Sequence, residues 1–131
     1  MLDTFSCKVI TPEKIIYDVQ ATYVSWPTWD GQRGAITRTS PMVAKLGIGV
    51  LSITTSENVK LKVLINGGIG EVGKEGLTIL TDGAEIVKNI DLEKAQVTLE
   101  QAKSAIMKGT SNRESKEQEY HLALARVAAV S

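Results

Sequence analysis

Cysteine is nearly missing from this 131-residue chain. Cys7 stands alone, which excludes an intrachain disulfide and a cysteine-built zinc site and permits a reducing compartment. Histidine is as scarce, so His121 would have to serve acid–base or metal chemistry alone or with carboxylates. Neither sign of charge is in excess: there are 15 basic and 15 acidic residues, nine of each within 1–90 and six of each within 91–131. That balance argues against a broad electrostatic grip on nucleic acid or anionic lipid. No apolar run approaches the ~20 residues of a membrane span. The N-terminal MLDTFSCKVITPEK lacks the apolar stretch of a signal peptide. No direct membrane insertion is expected, and attachment to a membrane would need another component.

The first two-thirds of the chain read in period two. In FSCKV, Phe5, Cys7 and Val9 share one face, and in VKLKVLI, Val59, Leu61, Val63 and Ile65 alternate with Lys60 and Lys62. That is the pattern of half-buried strands. KIIYDV, ATYVSW, GVLSITT, GLTILT and AEIVKNI are further strand candidates. Turn signals separate them at Thr11-Pro12, Asp30-Gly31, Ser40-Pro41, Ser56 to Asn58, Glu75-Gly76 and Asp82-Gly83. Short strands at close spacing predict an antiparallel sandwich or flattened barrel over residues 1–90.

The period changes at residue 91. Asp91 is suited to cap a helix, with Asn89 as its competitor. Leu92, Ala95, Leu99, Ala102 and Ile106 then recur at spacings of three and four. KGTSN (108–112) interrupts this seam. A second helix runs from about Arg113 toward Val130, with Tyr120, Ala123, Val127 and Val130 in its seam and Leu124 alongside. The two seams are rich in alanine, so residues 91–131 are expected to form an antiparallel two-helix hairpin. Its small buried area leaves it marginal alone. The fold class is thus β + α.

Two phosphate-binding patterns nearly appear in GGIGEVGKEG. Gly68, Gly70 and Gly73 spell G-x-G-x-x-G, and Gly68, Gly73 and Lys74 spell G-x-x-x-x-G-K. Both need a helix after the loop, whose N-terminus holds the phosphates. In this chain the β-branched GLTILTDG comes next, and Glu75 stands where Ser or Thr would hold magnesium. The glycines are therefore expected to serve bends or close backbone approaches.

Other chemistry is thin. His121 has Ala125 at the i+4 position that a ligand pair would use, and reads as a partly exposed helix residue. Cys7 reads as a small core side chain. Asp91 and Glu93, like Glu117 and Glu119, are two apart on a helix and do not face each other. SWPTWDGQRG, with Trp26 and Trp29 flanking Pro27 and Arg33 beyond a turn, reads as a protruding aromatic loop or a strand end packed on the core; tryptophan and arginine favour contact sites. No nucleophile, base and oxyanion site assemble, and a non-catalytic protein is expected.

Several segments in order resemble one family over essentially the whole chain. VITPEKIIYDVQATYVSWP resembles the opening of the epsilon subunits of F-type ATP synthases, called delta in mitochondria. DGQRGAI is similar to their G-x-x-G-I/L loop, SPMVAKLGIGVLSI to their APL…L…GVL.I segment, INGGIGEV to GGF.EV, and LTILTDGAEIVKNID to VTIL.D.AE….ID. Thr39 and Ser40 stand where the family has His before Ala-Pro. The ATP motif of several bacterial members, I/L-D-x-x-R-A, is met by Ile90, Asp91 and Ala95, with Lys94 in place of the arginine.

The resemblance implies a non-catalytic central-stalk rotor subunit that couples proton-driven ring rotation to ATP synthesis. The sheet domain would grip the gamma subunit and rest on the c-ring through Trp29, Asp30, Gly31, Gln32 and Arg33. The hairpin would fold against the sandwich or extend and reach the catalytic beta subunit to oppose ATP hydrolysis. No cofactor is required. Weak ATP binding on the hairpin would use Ile90, Asp91, Lys94 and Arg126, because lysine meets phosphate without the arginine fork. The complex would sit peripherally on the cytoplasmic face of a bacterial inner membrane, or on the stromal face of a thylakoid. A stand-alone ATP-sensing module and an unrelated sandwich adaptor are the alternatives left by the residues themselves.

Overall fold

The computed structural model describes residues 3–35, 40–107 and 113–130. Ile36, Thr39 and the KGTSN break lie outside them. The chain divides into two units, residues 1–85 and 86–131, so the division falls ahead of the change of period at residue 91.

The described residues form seven strands, the last ending one residue past the division: β1 (Phe5–Ile10), β2 (Ile15–Thr28), β3 (Gly31–Ala35), β4 (Met42–Thr55), β5 (Lys60–Val72), β6 (Gly76–Leu80) and β7 (Ala84–Ile86). Neighbours run β1-β6-β5-β4-β2-β3, and β1 also pairs with β2. The path β1-β6-β5-β4-β2 therefore closes on itself as a flattened barrel, with β3 added to β2 and β7 to β5. Closure removes most free strand edges. Among β1 to β6 the pairing is antiparallel except between β1 and β6, which run parallel.

Three strands are longer than their hydrophobic alternation suggests, because the inward phase changes within them. In β2, Val19 and Ala21 face in before a register shift at Thr22, and Val24 and Trp26 face in after it. KIIYDV and ATYVSW are thus one bulged strand, as an extra residue at a bulge exchanges the two faces. In β4 and β5 the change occurs together. Leu46 is buried on one side of Gly47 and Leu51 and Ile53 on the other, while Val63 and Ile65 are buried before Gly67 and Gly70 and Val72 after it. Register is kept through this corner, from Ile48–Asn66 to Leu46–Gly68. The ribbon bends over at Gly67 and Gly68, whose φ values of 77° and 117° exclude most side chains.

GGIGEV is consequently strand rather than a bend between strands, and the expectation of close approach is the part that fits. A Cβ on Gly68 would strike the Leu80 carbonyl, and one on Gly70 would enter the ring of Trp26. Lys74 and Glu75 form the hairpin tip, closed by Gly73 N–H to Gly76 O at 2.9 Å, and β6 begins where a phosphate loop would need a helix.

The core holds Phe5, Cys7, Val9, Val24, Trp26, Leu51, Ile53, Val63, Ile65, Leu77 and Ile79. Trp26 is 1% exposed. That corrects the aromatic-loop reading for this residue, since its strand phase turns it inward. Burial and the nearby Asp18 charge push the Cys7 thiol up to about 12, so it is protonated and not nucleophilic at neutral pH.

AEIVKNI is not a continuous strand either. After β7, Val87–Asn89 form a 3-10 turn, closed by Ile90 N–H to Val87 O at 3.0 Å. Asp91 then caps α1 (Leu92–Met107): its Oδ1 accepts Lys94 N–H at 3.2 Å and its carbonyl accepts Ala95 N–H. The second helix, α2 (Arg113–Val130), packs on α1 and on the 3-10 turn that precedes it. Among the described residues of the two helices Ala95 and Ala123 are buried, Leu99, Ala102, Ile106, Tyr120, Val127 and Val130 are half-buried, and Leu92 and Leu124 are exposed.

Gly70→Ala should destabilise the barrel by about 1–3 kcal/mol, the usual cost of overpacking. Urea unfolding measures this, and an unchanged midpoint would remove the Trp26–Gly70 contact from the account.

Candidate partner-binding surfaces

The β2–β3 hairpin ends in a two-residue turn, Trp29–Asp30, tied down from below. Thr28 is buried, and its hydroxyl lies 2.6 Å from both Asp30 Oδ1 and Gly31 O, with one proton to donate between them. Asp30 Oδ2 faces Arg33 Nη2 at 3.7 Å. Gly31 takes φ 137°, and Trp29 N–H donates to Lys45 O at 2.9 Å. The Thr28 hydrogen bond, aided by the backbone and by Arg33, holds the Asp30 carboxyl below the ordinary carboxylate range. Trp29 projects from this fixed base at 70% exposure. A large aromatic side chain on a rigid turn suits it as an interface anchor, since little of its freedom remains to be lost on docking.

The residues expected in this loop have distinct placements. Trp29, Asp30 and Arg33 are exposed at or beside the tip. Gln32 is directed along the sheet, its Nε2 donating to Ser25 Oγ at 2.9 Å and to Val50 O at 3.0 Å. Tyr23 covers Gly34, leaving no room for a Cβ there.

A second surface comes from residues far apart in sequence. Ile69 of β5 pairs with Leu80 of β6, Leu80 with Ile10 of β1, and Ile10 with Ile15 of β2. Paired residues share a face, and this one is outward. Ile15, Ile69 and Leu80 are 46–59% exposed and Ile10 is half-buried. Val43 of β4 adjoins them at 69%. Contiguous exposed apolar side chains of this kind mark interaction sites. Sequence reading missed the row because Ile69 lies within a glycine-rich run and Ile10 and Leu80 end their strands.

A hollow of about 350 Å³ opens beside the GKEG tip, lined by Ser6, Lys8, Glu71, Lys74, Glu75 and Thr78 among others. Its two lysines are matched by two glutamates, so it offers phosphate no net attraction. On the hairpin, Ile90 closes the 3-10 turn and Asp91 and Lys94 share the first turn of α1, both exposed. Arg126 is half-buried near the end of α2. The second helix also packs on the 3-10 turn that Ile90 closes. His121 is exposed beside Tyr120, ring centroids 5.7 Å apart. Among the described residues no group of three or more His, Cys, Asp or Glu side chains could hold a metal, and no helix is long and apolar enough to cross a membrane.

Residues 4–87 match the family described as ATP synthase, Delta/Epsilon chain, beta-sandwich domain. This chain belongs to the ATP synthase delta/epsilon family. Its relatives in that family include the chloroplastic ATP synthase epsilon chain of Pyropia yezoensis, 32% identical over 130 residues, covering 98% of this chain and 96% of the relative. The ATP synthase epsilon chain of Syntrophomonas wolfei is 35% identical over 103 residues, covering 79% and 75%. The fold is shared with a chain in the cryo-EM structure of the Euglena gracilis mitochondrial ATP synthase OSCP/F1/c-ring, at TM-score 0.89 and 21% identity, covering 98% of this chain and 82% of that one. A chain of the Tetrahymena thermophila mitochondrial ATP synthase central stalk and c-ring matches at TM-score 0.69 and 12% identity, covering 98% of both. The likeness to the Pyropia yezoensis chain thus extends over both units, beyond the matched sandwich domain.

Because Asp30 is held below its ordinary pKa, its contribution to tip order is complete above the carboxylate range and is lost as pH falls below that range through the depressed pKa. Trp29 fluorescence anisotropy should drop over that acid window, and Asp30→Asn should abolish the transition. An identical acid transition in the variant would contradict the assignment.

Proposed function

We propose that the chain is a non-catalytic central-stalk subunit of an F-type ATP synthase, joining the gamma subunit to the c-ring so that ring rotation reaches the catalytic head. The observation that supports it most is a closed barrel bearing two unlike contact surfaces, an apolar row across four strands and a hydrogen-bonded tryptophan turn. The apolar row suits a permanent partner, because obligate interfaces bury apolar cores; it is assigned to gamma. The tip suits the polar, exposed end of a ring, with Trp29 as anchor and Asp30 and Arg33 as its charged flank. A torque-bearing contact gains from a turn that is fixed before docking.

The hairpin is assigned a regulatory role, extending toward the catalytic beta subunit to oppose ATP hydrolysis. Its six basic and six acidic residues make strong electrostatic inhibition unexpected, and its few buried side chains make it a separable element. ATP would bind it weakly, at Ile90, Asp91, Lys94 and Arg126. The assembled complex would place the chain peripherally, at the cytoplasmic or stromal face of the coupling membrane.

The double substitution Ile69→Glu with Leu80→Glu should lower affinity for gamma by at least about tenfold, since an apolar side chain of this size contributes about 1.5–3 kcal/mol when fully buried. Circular dichroism checks that the barrel stays folded, and co-purification with gamma reads the loss. Undiminished recovery would move the gamma contact elsewhere. Deleting residues 91–131 should leave assembly and ATP synthesis largely intact and change only the regulation of hydrolysis; failure of the truncated chain to join the rotor would overturn this division of labour.

A further inference from the structure

The β2–β4 ladder has a gap beneath the ring-facing tip. Its register passes from Ser25–Ser52 directly to Thr28–Leu46, so two residues of β2, Trp26 and Pro27, stand against the five from Gly47 to Leu51. Pro27 has no N–H to give a neighbouring strand. Its ring also packs closely on Gly49, where an added Cβ would lie 2.9 Å from Pro27 Cβ. The carbonyl of Val50 therefore lies where β2 has no paired residue to serve it. Gln32, paired with Pro27 across β2 and β3, reaches back over β2. Its Nε2 donates to Val50 O at 3.0 Å and to Ser25 Oγ at 2.9 Å. One amide thus spans three strands at the point where proline interrupts the backbone ladder.

We propose that Gln32 is a positioning residue for partner docking: its side-chain amide staples β3 across the Pro27 gap to Val50 of β4 and so fixes the direction in which Trp29 is presented. This rests on the assignment of the Trp29 turn as the ring contact. The staple matters because β3 has few other ties. It is five residues long, carries two glycines, and among the described residues pairs with β2 alone. Short edge strands of that composition are held weakly by backbone pairing. Below Gln32, the Thr28, Asp30 and Arg33 contacts shape the turn itself. The Gln32 bonds instead set the turn relative to the barrel wall. Both hydrogens of the side-chain amide are used, so that amide has no donor left for a partner and acts through Trp29.

The test uses Gln32→Glu, which keeps length and shape but replaces the NH2 donor by an acceptor facing the Val50 carbonyl. Hydrogen exchange in the full chain should show the β3 amides, Arg33 to Ala35, exchanging about tenfold faster, the scale of one net hydrogen bond, with β1, β5 and β6 unchanged. Unchanged β3 exchange would overturn the staple, whatever happens at the ring. Binding to detergent-solubilised c-ring carrying the gamma subunit is then measured for Gln32→Glu, Trp29→Ala and the double variant. If Gln32 works through Trp29, each single variant weakens binding and the double variant is no weaker than Trp29→Ala alone. Additive losses would overturn the positioning role, because an independent structural defect adds. If β3 loosens while neither single variant alters binding, the docking assignment of the tip fails and positioning fails with it, although the staple itself stands.

Discussion

The structure depends on the closure of one strand against two neighbours of opposite direction. β1 runs antiparallel to β2 and parallel to β6, and this turns an open sheet into a barrel. The parallel contact is tight at its start: Ser6 N–H donates to Glu75 O, and Gly76, with φ 149°, leaves its Cβ position to the Ser6 backbone. A side chain there would force β1 off the sheet. With β1 in place, Phe5, Cys7 and Val9 complete the core from one side. The outward residues of β1 also join those of β6 and β5, so the apolar row is a product of closure and belongs to no single segment.

Closure sets up a division of tasks within the barrel. The wall presents the apolar row, and the Trp29 turn projects beyond the ladder at a point where Pro27 and the β2–β4 register jump leave β2 and β4 partly unpaired. Thr28, Asp30 and Arg33 use their polar atoms to order that turn, and Gln32 ties it to the barrel wall. The cost shows in the core, where the buried Trp26 Nε1 lacks a hydrogen-bond partner among the described residues. An unpaired buried donor costs about 1–3 kcal/mol. The same ring fills the space above Gly70, so Trp26 is held by packing against the corner of the β4–β5 ribbon. The hairpin is built differently, from small side chains and a small buried area.

Much of this was legible in sequence wherever one physical rule acted alone. The Asp91 cap, the alanine seam and the strands FSCKV and GLTILT stem from local chemistry and regular period, and so does the exclusion of a phosphate loop at Gly68 to Lys74. Misreadings fell where two rules competed. The bulge at Thr22 divided one strand into two, and the corner at Gly47 and Gly67 hid the first half of β4 and the second half of β5. AEIVKNI kept a strand-like composition, but its last residues turn and pack beside α2. Trp26 and Trp29 look equivalent in SWPTWDG, but strand phase sends Trp26 into the core and the turn after Thr28 puts Trp29 into solvent. The parallel β1–β6 pairing and the Gln32 staple are long-range features with no local signature.

The central claim is that the Trp29 turn of a closed, rigid barrel meets the c-ring. A benzophenone-bearing amino acid in place of Trp29 keeps an aromatic side chain at the tip and can be cross-linked by light in the assembled synthase. The account predicts a covalent product with the c subunit, identified by mass spectrometry. Cross-links confined to catalytic-head subunits, with none to the c subunit, would contradict it.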